Sequence, residues 1–173
     1  LPRLLPKAKA EFSIGAASLN WLESVELRDV VARDEHGEPV LTIAHISTSK
    51  PLWELARDAK QLGTVTITGL TWHASMHADG NNLNRAFGEA LAADEDGSNQ
   101  LVVELRDSRI ELNDQVTQRS STIEISQAQV GIAPGTNTPL AAQAEGRVLD
   151  ESASGDLNIE FTQQQIEDDA VST

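Results

Sequence analysis

The 173-residue sequence contains no cysteine, and Phe and Trp together make up only 3% of it. Without cysteine there are no disulfides, no thiol nucleophiles and no thiolate metal sites. The compartment stays open, since cysteine-free chains occur in the cytosol and in bacterial envelopes alike, but there is no Asn-x-Ser/Thr acceptor to mark a eukaryotic secretory route. Cations are also scarce: 13 Lys and Arg face 27 Asp and Glu, a net charge of −14. Such a surface repels a phosphate backbone, so nucleic acid is not an expected partner. It gains nothing from anionic headgroups either, so any lipid contact has to come from apolar surface. No long hydrophobic run is present, and Leu1-Pro2-Arg3-Leu4-Leu5-Pro6 is too poor in apolar residues for a signal core or a membrane span. Gly-x-Ser-x-Gly and Gly-rich phosphate loops are missing, and no Ser, His and Asp arrangement is visible. The expectation is a protein that is not an enzyme and needs no cofactor or metal.

What the chain does have is alternation. Residues 9–37 read as a hairpin: Phe12, Ile14 and Ala16 alternate, Leu19 and Trp21 continue the extended reading out of phase, and Val25, Leu27 and Val31 lead to the turn Asp34-Glu35-His36-Gly37-Glu38-Pro39. Val40 to Ser47 is a further strand. Thr48 and Pro51 then suit the start of a helix, with Leu52, Leu55, Ala56, Ala59 and Leu62 on one face and Gly63 as its stop. Val65 and Ile67 alternate with threonines, Gly69 breaks the phase, and Leu70, Trp72, Ala74 and Met76 resume it one position over, which predicts a long bulged strand. Asp79-Gly80-Asn81-Asn82 reads as a turn whose last Asn caps a second helix carrying Leu83, Ala86, Phe87, Ala90 and Leu91.

Beyond an acidic linker at 94–99 the pattern is all strand and turn. Leu101, Val103 and Leu105 alternate; Ile110 and Leu112 resume before a bend at Asn113-Asp114; Ile123, Ile125, Ala128, Val130 and Ile132 follow, with a phase change around Gln127. After a turn at 133–137 come a weak strand through Leu140, Ala142 and Ala144, extended by Gly146 to Val148, a turn at 151–155, and Leu157, Ile159 and Phe161. The expected organisation is a unit at 1–93, the linker, a continuing sheet at 100–165, and a frayed end at 166–173. The fold class is mainly β with two short helices. A sandwich normally wants bulkier inward residues than these. Either a modest sandwich has its helices on one side, or the sheet is open and its apolar face is covered from outside.

The titratable residues give little. His73 and His77 share a strand face but stand roughly 13 Å apart at strand rise, too far for one metal. His36 lies in a turn and His45 in a strand, without evident partners. The acidic stretches at 79–81 and 94–97 lack the ligand alternation and closing Glu of a calcium loop. Trp53 and Trp72 read either as core or as part of an apolar trough, where each buried methylene is worth about 0.8 kcal/mol.

From Ile14 to Asn84 the order of phrases resembles the N-terminal region of the AsmA-like family of bacterial envelope proteins, which includes TamB. The phrases are Leu27-Arg-Asp-Val-Val31, Asp34-Glu-His-Gly37 and Pro39-Val-Leu41, then Ile46 to Leu55, then Gly63-Thr-Val-Thr-Ile-Thr-Gly-Leu70, and finally Asp79-Gly-Asn-Asn-Leu-Asn84. The match covers a little under half the chain. The resemblance implies a curved, mostly antiparallel open sheet forming a β-groove, similar to the chorein bridge proteins, that carries phospholipid or another acyl-chain lipid. It further implies a role in lipid transport or outer-membrane biogenesis, a periplasmic location, and an anchor in the inner membrane through a helix outside this chain. The candidate groove residues are Ile14, Leu27, Ile43, Val65, Ile67, Trp72 and Met76 in the first half. In the second they are Leu101, Val103, Leu105, Ile123, Ile125, Leu157 and Ile159. The alternative is an envelope scaffold whose core leaves no groove and whose edges or loops recruit a protein partner.

Overall fold

The computed structural model describes residues 9–58, 61–77, 80–82, 100–132, 139–150 and 153–162. Nine strands form one sheet: β1 (Glu11–Ser18), β2 (Ser24–Arg33), β3 (Pro39–Pro51), β4 (Gln61–His77), β5 (Gly80–Asn81), β6 (Gln100–Asp114), β7 (Arg119–Ile132), β8 (Pro139–Asp150) and β9 (Ala153–Thr162). Their order is β1-β2-β3-β4-β6-β7-β8-β9, with the two-residue β5 paired to the end of β4. The path ends in two different strands, so the sheet is open. All neighbours are antiparallel except β4 and β6, which run parallel from Gln61↔Gln100 to Met76↔Asp114. The sheet is therefore mixed, and that pairing joins the two halves of the chain into one ladder.

The turns follow their residues. In the β2–β3 turn the Asp34 carboxylate accepts from the backbone N–H groups of His36 and Glu38 (2.9 and 3.0 Å), and Gly37 supplies φ +82°. In the β6–β7 turn the Asp114 carboxylate accepts from the backbone of Val116 and Thr117 and from the Thr117 hydroxyl, at 2.8, 3.1 and 2.7 Å. These bonds hold its pKa below the ordinary value, the Thr117 hydroxyl contributing most.

Three local expectations are corrected. Leu19 and Trp21 leave the strand, because β1 ends at Ser18 and residues 19–23 form the β1–β2 connection. The first helix, α1 (Leu52–Arg57), has only six residues. β3 runs on to Pro51, which leaves α1 without a side-chain cap. The hydroxyls expected at its start serve the sheet instead: Thr48 Oγ1 accepts from Val25 N–H, and Ser49 Oγ accepts from Thr64 N–H. β4 begins at Gln61, so Gly63 ends no helix; its φ of +72° accompanies a register irregularity against β6. The second expected helix, the linker and the turn at 133–137 lie outside the described residues.

The phase break at Gly69 belongs to a line crossing most of the sheet. Asp29, Gly69 and Asp107 adopt φ of 53°, 66° and 48° in β2, β4 and β6. By register they stand beside Gly15, Ala44 and Ser126 in β1, β3 and β7, and regular pairing skips this row while keeping the same register on both sides. One left-handed residue turns the pleat by one position. Residues at 25 and 27, 46 and 48, or 65 and 67 therefore share a face with those at 30 and 32, 41 and 43, or 70 and 72.

Among the described residues few hydrophobic side chains are truly buried: Val30, Ala32, Val40 and Ala74, all on β2, β3 and β4 beyond this seam. Ala32 and the fully covered Val40 form the centre, packed by Ala10, Phe12, Leu41 and Trp72. Near this end Asn82 is 8% exposed. Its amide donates to the His73 carbonyl at 2.6 Å, and its Oδ1 accepts from Ser75 N–H at 3.2 Å, which supplies β4 with ladder partners where β3 has run out.

Candidate apolar binding face

Register sorts the side chains into two unlike faces. On one, a continuous apolar rib crosses all eight strands of the path: Ala17, Leu27, Ile46, Ile67, Leu105, Ala128, Ala144 and Ile159 are successive cross-strand neighbours. Seven interstrand steps give it a length of roughly 34 Å, about twice the half-thickness of a bilayer's hydrocarbon core. None of these eight residues is buried, and Ile159 is 48% exposed. A second rib runs beside it through Thr48, Val65, Val103, Val130 and Ala142 to position 161. Across the seam two more follow, one through Ile14, Val30, Ile43 and Leu70, the other through Trp72, Ile110, Ile123 and Val148.

Thirteen of the fourteen expected residues fall on this face by register. Leu27, Ile67, Leu105 and Ile159 share the first rib, and Val65 and Val103 the second. Ile14 and Ile43 share a row, as do Ile125 and Leu157 on either side of Gly146, and Trp72 is continuous with Ile123 through Ile110. Leu101 occupies the ladder position between Gly63 and Ile132. Met76, 38% exposed, stands at the far margin between Asn81 and Asp114. Trp72 contributes to the small core, so it serves packing more than the open surface. Sequence reasoning left Ala17, Ile46, Ala128 and Ala144 out of the candidates, and these complete the longest rib. For Ile46 and Ala128 a signal was available. The change of parity between Ile43 and Ile46 was that signal for the first, and the shift around Gln127 for the second.

The opposite face is charged and wet. Arg109, Glu124, Arg147 and Asp156 are cross-strand neighbours of alternating sign. Glu104 meets Arg106 at 3.0 Å, and the Glu26 carboxylate lies 3.3 Å from Arg28 and 3.6 Å from His45. His73 hydrogen-bonds through Nδ1 to Glu111 at 2.9 Å, and His45, without an evident partner in the sequence, is the one that lies by Glu26. Such exposed pairs are each worth at most about 1 kcal/mol, so their effect is to keep this side solvated. Shallow hollows of about 340 and 400 Å³ lie over β6–β9 between residues of this face, among them Arg106, Gln127 and Glu145 in the first and Arg109, Glu124 and Arg147 in the second.

Among the described residues no three His, Asp or Glu side chains converge as metal ligands. No described helix is long and apolar enough to cross a membrane. Comparison with protein-family models gives no match, and comparison with curated proteins gives none either.

Proposed function

We propose that this chain is a non-catalytic segment that takes up the acyl chains of phospholipid on its apolar sheet face and passes lipid along it, as part of lipid transport or outer-membrane biogenesis in a bacterial envelope. The supporting observation is the apolar rib from Ala17 to Ile159, which spans eight strands without a buried member. Burying one Leu or Ile side chain against a partner is worth about 1.5–3 kcal/mol, and acyl chains recover this without directional chemistry. The chain's −14 charge and its ion-paired face keep the other side in water. A periplasmic location, an inner-membrane anchor outside this chain and curvature of the sheet around the lipid belong to the same proposal, in keeping with the AsmA-like order of phrases.

Native mass spectrometry of the chain purified from bacteria, followed by lipid extraction, tests it. Phospholipid should co-purify and fall severalfold in Ile67→Asp and Leu105→Asp. A clean apo mass with no uptake of fluorescent phospholipid would overturn the reading in favour of a scaffold that recruits protein partners.

A further inference from the structure

Three of the most exposed large hydrophobic side chains among the described residues sit together in the β1–β2 connection: Leu19 and Trp21 are each 58% exposed and Leu22 is 76% exposed, whereas Val116, at 65%, stands by itself in the β6–β7 turn. The three are held out by the loop's own bonds. Asn20 Oδ1 accepts from Leu22 N–H at 3.2 Å, the Asn20 carbonyl accepts from Glu23 N–H at 3.4 Å, and the Trp21 carbonyl accepts from Trp53 N–H at the start of α1 at 3.2 Å. The loop is thus braced against a second element, and α1 itself buries none of its side chains, Leu52, Trp53 and Leu55 included. Topology puts this tip at the end of the sheet where β3 finishes and β4 starts, the end toward which Val65 and Val103 extend the apolar ribs.

From this geometry we infer that the tip of residues 19–22, backed by α1, docks on the surface of a neutral lipid bilayer and brings the near end of the apolar face up to it, while the face itself stays clear of the bilayer. Two observations favour a bilayer over a protein, and a third favours neutral headgroups over anionic ones. The projecting surface is three side chains on a convex loop, well short of the roughly 800 Å² per partner that a specific protein interface needs. A bilayer has no such threshold, since each apolar side chain partitions by itself, and Trp with Leu suits the boundary between headgroups and acyl chains. Residues 19–22 carry no charge and Glu23 follows, on a chain of net charge −14, so anionic headgroups repel what zwitterionic ones accept. The inference rests on the proposed lipid function, for which the tip supplies the place of exchange.

Flotation of the 173-residue chain with phosphatidylcholine vesicles is the test, with Trp21→Ala and Leu22→Asp as variants at exposed positions. Flotation should fall about tenfold in Leu22→Asp. It should also weaken when anionic lipid is mixed in at low salt, the reverse of a polybasic contact. Circular dichroism of the variants should match the parent, and Ile67→Asp should float normally while losing bound lipid, which separates the tip from the face. Flotation unchanged in both tip variants, or strengthened by anionic lipid, would overturn the inference. So would parent chain that holds lipid yet never floats, and that outcome leaves the apolar face standing.

Discussion

Replacing Gly69 by Ala should be among the most damaging single-methyl changes in this sheet. Two costs combine. The residue sits at φ +66°, where an added Cβ costs about 1–2 kcal/mol. That Cβ would also lie 2.9 Å from the Cβ of Ala44 on β3, closer than real methyls approach, and overpacking of this kind costs about 1–3 kcal/mol. Against them stands the roughly 0.5–1 kcal/mol gained by restricting the unfolded chain. The net expectation is about 2–3 kcal/mol of destabilisation, which at a urea slope near 2 kcal/mol/M moves the unfolding midpoint down by about 1 M. Gly155→Ala is the control: nothing lies within 4 Å of its added Cβ, so that variant should unfold at or slightly above the parent midpoint. Equal midpoints for the two variants would refute the claim that a left-handed residue at this point in β4 holds the pleat slip. Asp107→Gly extends the test, because relieving φ +48° in the same row should leave stability unchanged or raised.

Gly146→Ala should fail to give folded protein, because its Cβ would collide with the Glu124 carbonyl on β7; a soluble product with parent-like circular dichroism would contradict this. Asn82→Ala strands the His73 carbonyl and the Ser75 N–H, and should lower stability by about 2–4 kcal/mol in chemical denaturation. Val40→Ala opens a cavity beside Ala32 at the most covered side chain and should cost about 2 kcal/mol, with faster amide exchange in β2 and β3. Asp114 should titrate below its ordinary value by NMR and move up in Thr117→Val, since the Thr117 hydroxyl is the leading cause of its shift. Because its folded pKa is depressed, its stabilising contribution is complete above the unfolded value of about 3.8 and is lost as pH falls through the folded one; Asp114→Asn should lack that part of the acid response.

The sheet was legible because a half-buried strand writes its period directly into the sequence. Phe12 and Ile14, Val65 and Ile67, and Val103 and Leu105 each alternate within a longer strand pattern, which points to both the strand and the face each residue takes. The slip at Gly69 was legible for the same reason, since the change of parity between Ile67 and Leu70 is local. α1 was overestimated because Leu62 and Gly63 fit a helical pattern, yet β4 gains a full ladder against β6 by taking them, and tertiary pairing outweighs the weak preference of a short helix.

Sequence alone showed the alternation that divides each strand into an apolar and a polar side, the turn at Asp34 and the bend at Asn113-Asp114, because each follows from neighbours within a few residues. Only the tertiary structure decided that β6 lies parallel beside β4, that Asp29, Gly69 and Asp107 line up into one seam, and that Ala128 and Ala144 join Leu27 and Ile67 in a single rib. Those facts depend on which strands meet and in what register. Register is set by the summed pairing of residues far apart in the chain, which no local pattern contains.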